Sequence, residues 1–372
     1  MNSTKVLIVC LVVAMVSLWA AQAGYGQFWS WVAYGCTIVG GVTGFAYAII
    51  WFSNYKSYKD RIMGVPARLA NELIKSGDTY AGDLLGQRLC LAYVVIHYYL
   101  GEQWFNDKVC LQDRFDPFML NEHDEKGENR WMFQYRVEGL ADALFELRNC
   151  KNFDVLCDRF RNGDAKSCHV EAKTASVFAK DGFEVEVVRL TGKKGEDFDF
   201  VARKASQEIS VEVTAKEDAA LTVKTIANTL RRKRGQVPAD RAAILYIIIP
   251  EEWTEDGPTA DSVFSEAIGN HFRNSKTFNA VSLVWVNKIV LGEGRAFALA
   301  YHPFEHPSPR HPIGDMSFLR PDHPRGDLNT LRGRVKTDGE GLERELEGGL
   351  GEPPPSYLEW YLLASKTNNE HS

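Results

Sequence analysis

Residues 198–214 read Phe-Asp-Phe-Val-Ala-Arg-Lys-Ala-Ser-Gln-Glu-Ile-Ser-Val-Glu-Val-Thr. Phe198–Ala202 and Ile209–Thr214 alternate as strands do, and the polar Lys204–Gln207 between them predicts a hairpin turn. Side chains alternate along a strand, so Asp197 and Asp199 share one face and Phe198 and Phe200 the other. On the second strand Glu212, Thr214 and Lys216 share a face. With the hairpin in register, Asp199 and Glu212 converge at one end of the sheet. A carboxylate inside Val-Glu-Val costs free energy to bury unless it is paired or metal-bound.

The pattern continues on both sides of this hairpin. A helix is expected over Ser167–Ala179, closed by Asp181-Gly182, and it carries Glu171. Residues 183–190 (Phe-Glu-Val-Glu-Val-Val-Arg-Leu) alternate as a strand. A helix is expected from Asp218 to about Arg234. Residues 241–249 (Arg-Ala-Ala-Ile-Leu-Tyr-Ile-Ile-Ile) form an apolar run suited to a strand buried on both faces. A helix over 259–273 and strands over 280–290 and 295–301 complete the series. The order predicts an α/β domain over 163–302, with a mixed sheet flanked by helices.

Two hard oxygen ligands, Asp199 and Glu212, suit Mg²⁺ or Mn²⁺, which keep several waters and accept phosphate oxygens as further ligands. Lys216 can orient or help deprotonate an attacking water and offset charge on a phosphate. Glu171 can supply another carboxylate, although taken singly it also suits an ordinary helix surface. Arg231, Arg232, Lys233 and Arg234 form a compact basic cluster in a chain of net charge −6. Phosphate contact is its functional reading, and the helix dipole, which favours cations at a C-terminus, is the structural one.

These residues resemble the PD-(D/E)XK nuclease superfamily over roughly residues 165–290. The resemblance rests on the helix with Glu171, on Asp199 at the start of a strand, and on Glu212 in the next strand. It implies a restriction-endonuclease-like fold and metal-dependent hydrolysis of phosphodiesters, with Asp199 and Glu212 on the metal. The family's lysine two residues after the strand glutamate is Thr214 here. Lys216 lies two residues further along the same face, a strand rise of roughly 6.6 Å. That departure leaves open a fold that binds nucleic acid without cutting it.

The N-terminus points to a membrane. Residues 6–23 and 28–52 carry no charge; as helices they would span roughly 27 and 37 Å, enough to cross a bilayer core. Trp29, Trp31 and Trp51 stand near the ends of the second segment, at the depths of aromatic belts. Lys5 on one side and Lys56, Lys59, Arg61 and Arg68 on the other predict a hairpin (residues 1–53) with both ends in the cytoplasm. Gly40 and Gly44 would allow close helix packing. The alternative is a cleaved signal peptide ending at Ala21-Gln-Ala23, and it too leaves the rest of the chain cytoplasmic. The expected location is therefore the inner membrane, with a soluble cytoplasmic domain.

Residues 54–162 read as a helical connector, with apolar periodicity in 65–76, 80–100 and 137–149. His97 lies on an apolar face, as a packed core histidine does. Residues 303–372 are rich in Pro, Gly and charge and read as a largely disordered tail, with a short terminal helix over Tyr357–Ala364. Histidines 302, 306, 311 and 323 each precede proline, at spacings unlike metal-ligand sets. The seven cysteines show no CxxC pair, which disfavours a zinc site or disulfide framework. The balance of charge excludes a protein that coats nucleic acid through overall basicity. Three function classes follow: a membrane-anchored nuclease, a non-catalytic binding module of the same fold, and a membrane scaffold acting through residues 56–162. No protein partner is indicated by any motif.

Overall fold

Glu212 sits in the middle of a sheet whose strands were built by the alternation described above. The computed structural model describes residues 65–80, 84–110, 128–216, 220–254, 257–291, 294–314, 316–319 and 356–369. The expected membrane hairpin lies outside these residues; among the described residues no helix is long and apolar enough to cross a membrane.

The described elements, in order, are α1 (Ala67–Thr79), α2 (Leu84–Leu100), α3 (Glu102–Phe105), α4 (Glu128–Leu147), α5 (Phe153–Asn162) and α6 (Ala165–Lys180). Then follow β1 (Glu184–Val187), β2 (Phe200–Lys204), β3 (Gln207–Ala215), α7 (Val223–Arg234), β4 (Ala242–Ile248) and α8 (Gly257–Asn274). Strands β5 (Phe278–Leu291) and β6 (Gly294–Glu305) and helix α9 (Ser356–Asn369) complete the order. The expected α/β class and mixed sheet are present. Six strands run in the order β1-β2-β3-β4-β5-β6. Steps β1/β2, β2/β3 and β5/β6 are antiparallel, and β3/β4 and β4/β5 are parallel. Each parallel step needs a long crossover connection, and α7 and α8 supply them.

The β2–β3 hairpin closes through Ala205 and Ser206, with Ala205 in the left-handed region (φ 53°). Its register pairs Phe200 with Val211 and Lys204 with Gln207. On one face of the sheet Phe200, Ala202, Ile209, Val211, Ile244 and Tyr246 join the core that includes α6. On the other, Val201, Leu245, Ile247 and Val281 meet Ile226 and Leu230 of α7 and Phe264 of α8. Strand β4 is buried on both faces, as its unbroken apolar run requires.

Two expectations change. The helices before residue 162 do not stand apart as a connector. Leu69, Leu73, Leu91, Val95, Val137, Leu144, Leu156 and Phe160 belong to the same core as α6 and the sheet. Amphipathic helices bury their apolar stripe wherever a matching face exists, and α6 offers one. Of the expected tail, residues 303–314, 316–319 and 356–369 are described and take part in the fold, while 320–355 lie outside the described residues. Strand β6 runs on to Glu305, and Phe318 packs against Phe178 and Phe183, with ring centroids 5.2 and 5.0 Å apart. His306 caps the end of α8. Its Nδ1 accepts from the Ser308 amide, so Nε2 carries the proton and faces the carbonyls of Phe272 and Ser275 at 3.1 and 3.0 Å. His311 Nε2 lies 3.0 Å from the Ala239 carbonyl. These two histidines are used by the fold.

Helix α9 begins at Ser356 rather than Tyr357 and docks through a buried carboxylate. Asp142 of α4 accepts from the Ser356 amide at 2.8 Å and from its hydroxyl at 2.7 Å, while Lys180 donates to its other oxygen at 2.5 Å. Tyr361 donates to Asp78 at 2.9 Å and lies over Gly77, where a Cβ would strike its ring. Asp142→Ala is expected to cost about 2 kcal/mol, because Lys180 and the first turn of α9 lose their acceptor. Hydrogen exchange should show faster exchange across Ser356–Asn369; unchanged protection there would refute the docking role of Asp142.

Candidate functional site

Three acidic side chains come from three different elements. Asp164 caps α6 by accepting from the Ser167 amide at 2.8 Å, and one turn further on the helix presents Glu171 to the interior. The chain enters β2 after Asp199, whose backbone pairs with Val211 and whose Oδ2 accepts from the Val213 amide at 2.6 Å. Glu212 lies in β3, between β2 and β4, and is only 1 % exposed. Asp199 and Glu212 both act electrostatically on Glu171, and Asp199 on Glu212.

Two cations hold them. Arg159, on the buried side of α5, bonds Glu171 through Nη1 and the carbonyl of Val188 through Nη2. Its Nη1 is also 3.7 Å from Asp199 Oδ1. Lys233 of α7 bonds Glu212 Oε1, and its side chain is 13 % exposed. The other Glu212 oxygen, Oε2, is buried and has no hydrogen-bond partner among the described residues.

Burial drives the electrostatics. It pushes the Glu212 carboxyl up to about 8, helped by the negative charge of Asp199 and opposed by Lys233. Burial likewise raises Asp199, against the pull of the Val213 amide, Lys233 and Arg159. Glu171 is raised well above the carboxylate range by burial and then by Asp199. Cys168, one turn back on α6, is pushed up to about 12 by burial and by Glu171, so it stays a thiol.

The other expected site residues fall as follows. Lys216 follows β3, and its amide donates to the Ile248 carbonyl at 2.8 Å. Burial, and then the positive charges of Arg232 and Lys233, hold its ammonium below the ordinary lysine value. Asp197 does not share a strand face with Asp199, because β2 starts only at Phe200. It organises the loop before it, accepting from the amides of Thr191 and Gly192 at 2.6 and 3.0 Å. Arg231, Arg232 and Arg234 are exposed, whereas Lys233 turns inward from the same cluster. The loop over 191–196 lies beside that cluster. Gly195, at φ 85°, donates to the Gly235 carbonyl at 3.0 Å, and Gln236 donates to the Asp197 carbonyl at 3.2 Å.

Sequence reasoning missed Arg159 and misread Lys233. In both cases helical periodicity carried the signal. Lys233 follows Ile226 and Leu230 on the buried side of α7, and Arg159 lies beside Leu156 and Phe160 on α5. Comparison with family models, curated proteins and solved structures returns no match.

Among the described residues, no three His, Cys, Asp or Glu side chains form a group that could hold a metal ion. The site instead has hard carboxylate oxygens already partly matched by Arg159 and Lys233. Of the carboxylate oxygens, Glu212 Oε2 is left without a hydrogen-bond partner among the described residues, while burial favours the protonated form of the Glu212 and Asp199 carboxyls.

A folded-state value near 8 for Glu212, against an ordinary 4.5, means that folding takes up a proton there. The associated stability is full below 4.5 and is lost as pH rises through about 8. Lys233→Met removes the cation that limits this loss. The variant should be destabilised by about 3 kcal/mol at pH 9 and by much less at pH 5, where Glu212 is neutral. Thermal melts at the two pH values test this; an equal loss at both would show that Lys233 acts through packing alone.

Proposed function

We propose that this chain is a membrane-anchored nuclease, hydrolysing phosphodiesters of nucleic acid with Mg²⁺ or Mn²⁺ at Asp199 and Glu212. The observation that carries the reading is the convergence of Glu171 of α6, Asp199 just before β2 and Glu212 of β3, with Glu212 Oε2 buried and without a partner among the described residues. The mixed sheet with a carboxylate-bearing helix on one face agrees with the restriction-endonuclease-like arrangement suggested by the sequence resemblance. The uncharged segments 6–23 and 28–52 and the basic residues after them support anchoring at the inner membrane with this domain in the cytoplasm.

Each residue then has a role. Asp199 and Glu212 would hold the ion. When bound, a divalent ion lowers the pKa of a coordinated water and polarises the phosphoryl oxygens. Lys233 keeps Glu212 oriented through Oε1. Lys216, half-buried and lowered in pKa, would orient the attacking water and receive part of its proton. Glu171 acts through Arg159, which it fixes. Arg231, Arg232 and Arg234 are exposed at the end of α7 and would contact backbone phosphates.

A second reading is favoured by the ion pairs themselves. Arg159 and Lys233 already balance much of the negative charge, and Thr214 stands where the resemblance expects lysine. On that reading the fold binds nucleic acid without cutting it.

The deciding assay incubates the purified full-length protein with plasmid and single-stranded nucleic acids in Mg²⁺, Mn²⁺ or EDTA. Cleavage is expected with either ion and not with EDTA. Asp199→Asn or Glu212→Gln should abolish it, and Lys216→Met should slow it by about 100-fold while nucleic-acid binding persists. Metal-independent binding without cleavage would replace the nuclease reading with the binding module.

A further inference from the structure

The loop over 191–196 is tied to the end of α7 from both of its sides. Gly195 donates to the Gly235 carbonyl at 3.0 Å, and Gln236 Nε2 donates to the Asp197 carbonyl at 3.2 Å. The Asp197 carboxylate holds the start of the loop through the Thr191 and Gly192 amides. Between these fixed points lie Lys193 and Lys194, both exposed. Lys194 Cε would stand 3.9 Å from a Cβ added at Gly235, so this lysine lies against the close of α7.

Five exposed cations from two elements therefore share one surface: Lys193, Lys194, Arg231, Arg232 and Arg234. Little negative charge opposes them. Lys193 stands 3.9 Å from Glu196, and Arg231 donates to the neutral Asn228 at 2.6 Å. Among the described residues no carboxylate pairs with Lys194, Arg232 or Arg234. In a chain of net charge −6 this is a local excess of positive charge. The dipole of α7 favours cations on its own last turn, and it gives no reason for two lysines on a separate loop. Lys233, from that same turn, bonds Glu212, so the surface borders the buried carboxylates. Spaced phosphates on a strand can follow such a row to the carboxylates, which a lipid surface has no reason to reach.

We propose that residues 191–196 form a phosphate-contacting loop, in which Lys193 and Lys194 extend the surface of Arg231, Arg232 and Arg234 into one track for a nucleic-acid backbone. Asp197 and Gln236 are its positioning residues, since they hold the loop where its lysines continue the track. This deepens the nucleic-acid reading given above and rests on it, but it needs no metal ion.

The test follows a short fluorescent DNA duplex and the matching single strand binding to the purified full-length protein by anisotropy, in EDTA, over a range of salt. Lys193→Gln, Lys194→Gln together should weaken duplex binding about tenfold and lower the slope of log affinity against log salt by about 2, roughly one for each lost phosphate contact. Asp197→Ala separates position from charge. It removes a negative charge, so charge alone predicts tighter binding. Release of the loop predicts binding weaker by about threefold, because the lysines must then be ordered at each encounter. Gln236→Ala frees the loop without altering charge and should shift binding the same way. Should Asp197→Ala fail to fold in a thermal melt, Gln236→Ala decides.

Unchanged affinity and slope in the double lysine variant, or tighter binding by Asp197→Ala, would overturn the proposal. So would complete displacement of both nucleic acids by an equal phosphate concentration of phosphatidylglycerol in neutral-detergent micelles, which would assign the surface to anionic lipid. Cleavage is assayed separately with Mg²⁺. Cleavage with binding insensitive to these substitutions keeps the nuclease reading and removes this one; the expected binding without cleavage does the reverse.

Discussion

Burying Glu171, Asp199 and Glu212 together is the constraint on which the rest of the described structure depends. Isolated buried carboxylates cost several kcal/mol each, on the order of a large part of a domain's net stability. The chain meets that cost with two cations from two separate helices, Arg159 from α5 and Lys233 from α7. Helix α5 reaches Glu171 only because it packs beside α6, and it does so by burying Leu156 and Phe160 in the common core. Helix α7 reaches Glu212 because it is the crossover between parallel strands β3 and β4. The helical layer and the crossover are therefore electrostatic requirements of the sheet as much as packing partners.

Much of this was legible in the sequence. Period-two alternation with a polar turn located the β2–β3 hairpin, because strand faces repeat with an unambiguous period. The apolar run over 241–249 located β4, since only a strand covered on both sides tolerates it. Glu212 was legible because a carboxylate inside Val-Glu-Val demands a reason, and Asp199 because the hairpin register brings it to the same end of the sheet; Glu171, taken singly, suited an ordinary helix surface. Lys233 was hidden by its neighbours: Arg231, Arg232 and Arg234 made the cluster look like a single surface feature. Arg159 was hidden by distance, since nothing in a short amphipathic helix shows which remote carboxylate it will meet. The docking of α9 was illegible for the same reason, as Asp142 and Ser356 are 214 positions apart.

The same logic explains why composition misled at the C-terminal side. Proline- and histidine-rich sequence after Tyr301 suggested a chain with nothing to bury. Yet Phe318 joins Phe178, Phe183 and Phe200 in one aromatic cluster, each pair worth about 1 kcal/mol beyond its buried area. A few apolar anchors at the right places suffice to fix an otherwise polar segment, and local averages of hydropathy do not register them.

The two cations are also not interchangeable, and their identities follow from what each must do. Arg159 serves two acceptors at once, the Glu171 carboxylate and the Val188 carbonyl, and lies near a third at Asp199. A lysine is a single point of charge and would leave one of those groups without a donor. Lys233 meets one oxygen of one carboxylate, from a helix whose other basic residues face solvent. A compact ammonium is enough for that single contact. The arginines are on the outside of α7, where a planar fork matches the oxygens of a phosphate. Helix α7 thus sorts its positive charge by chemistry as well as by direction. One lysine inward sustains the carboxylates, and three arginines outward face solvent.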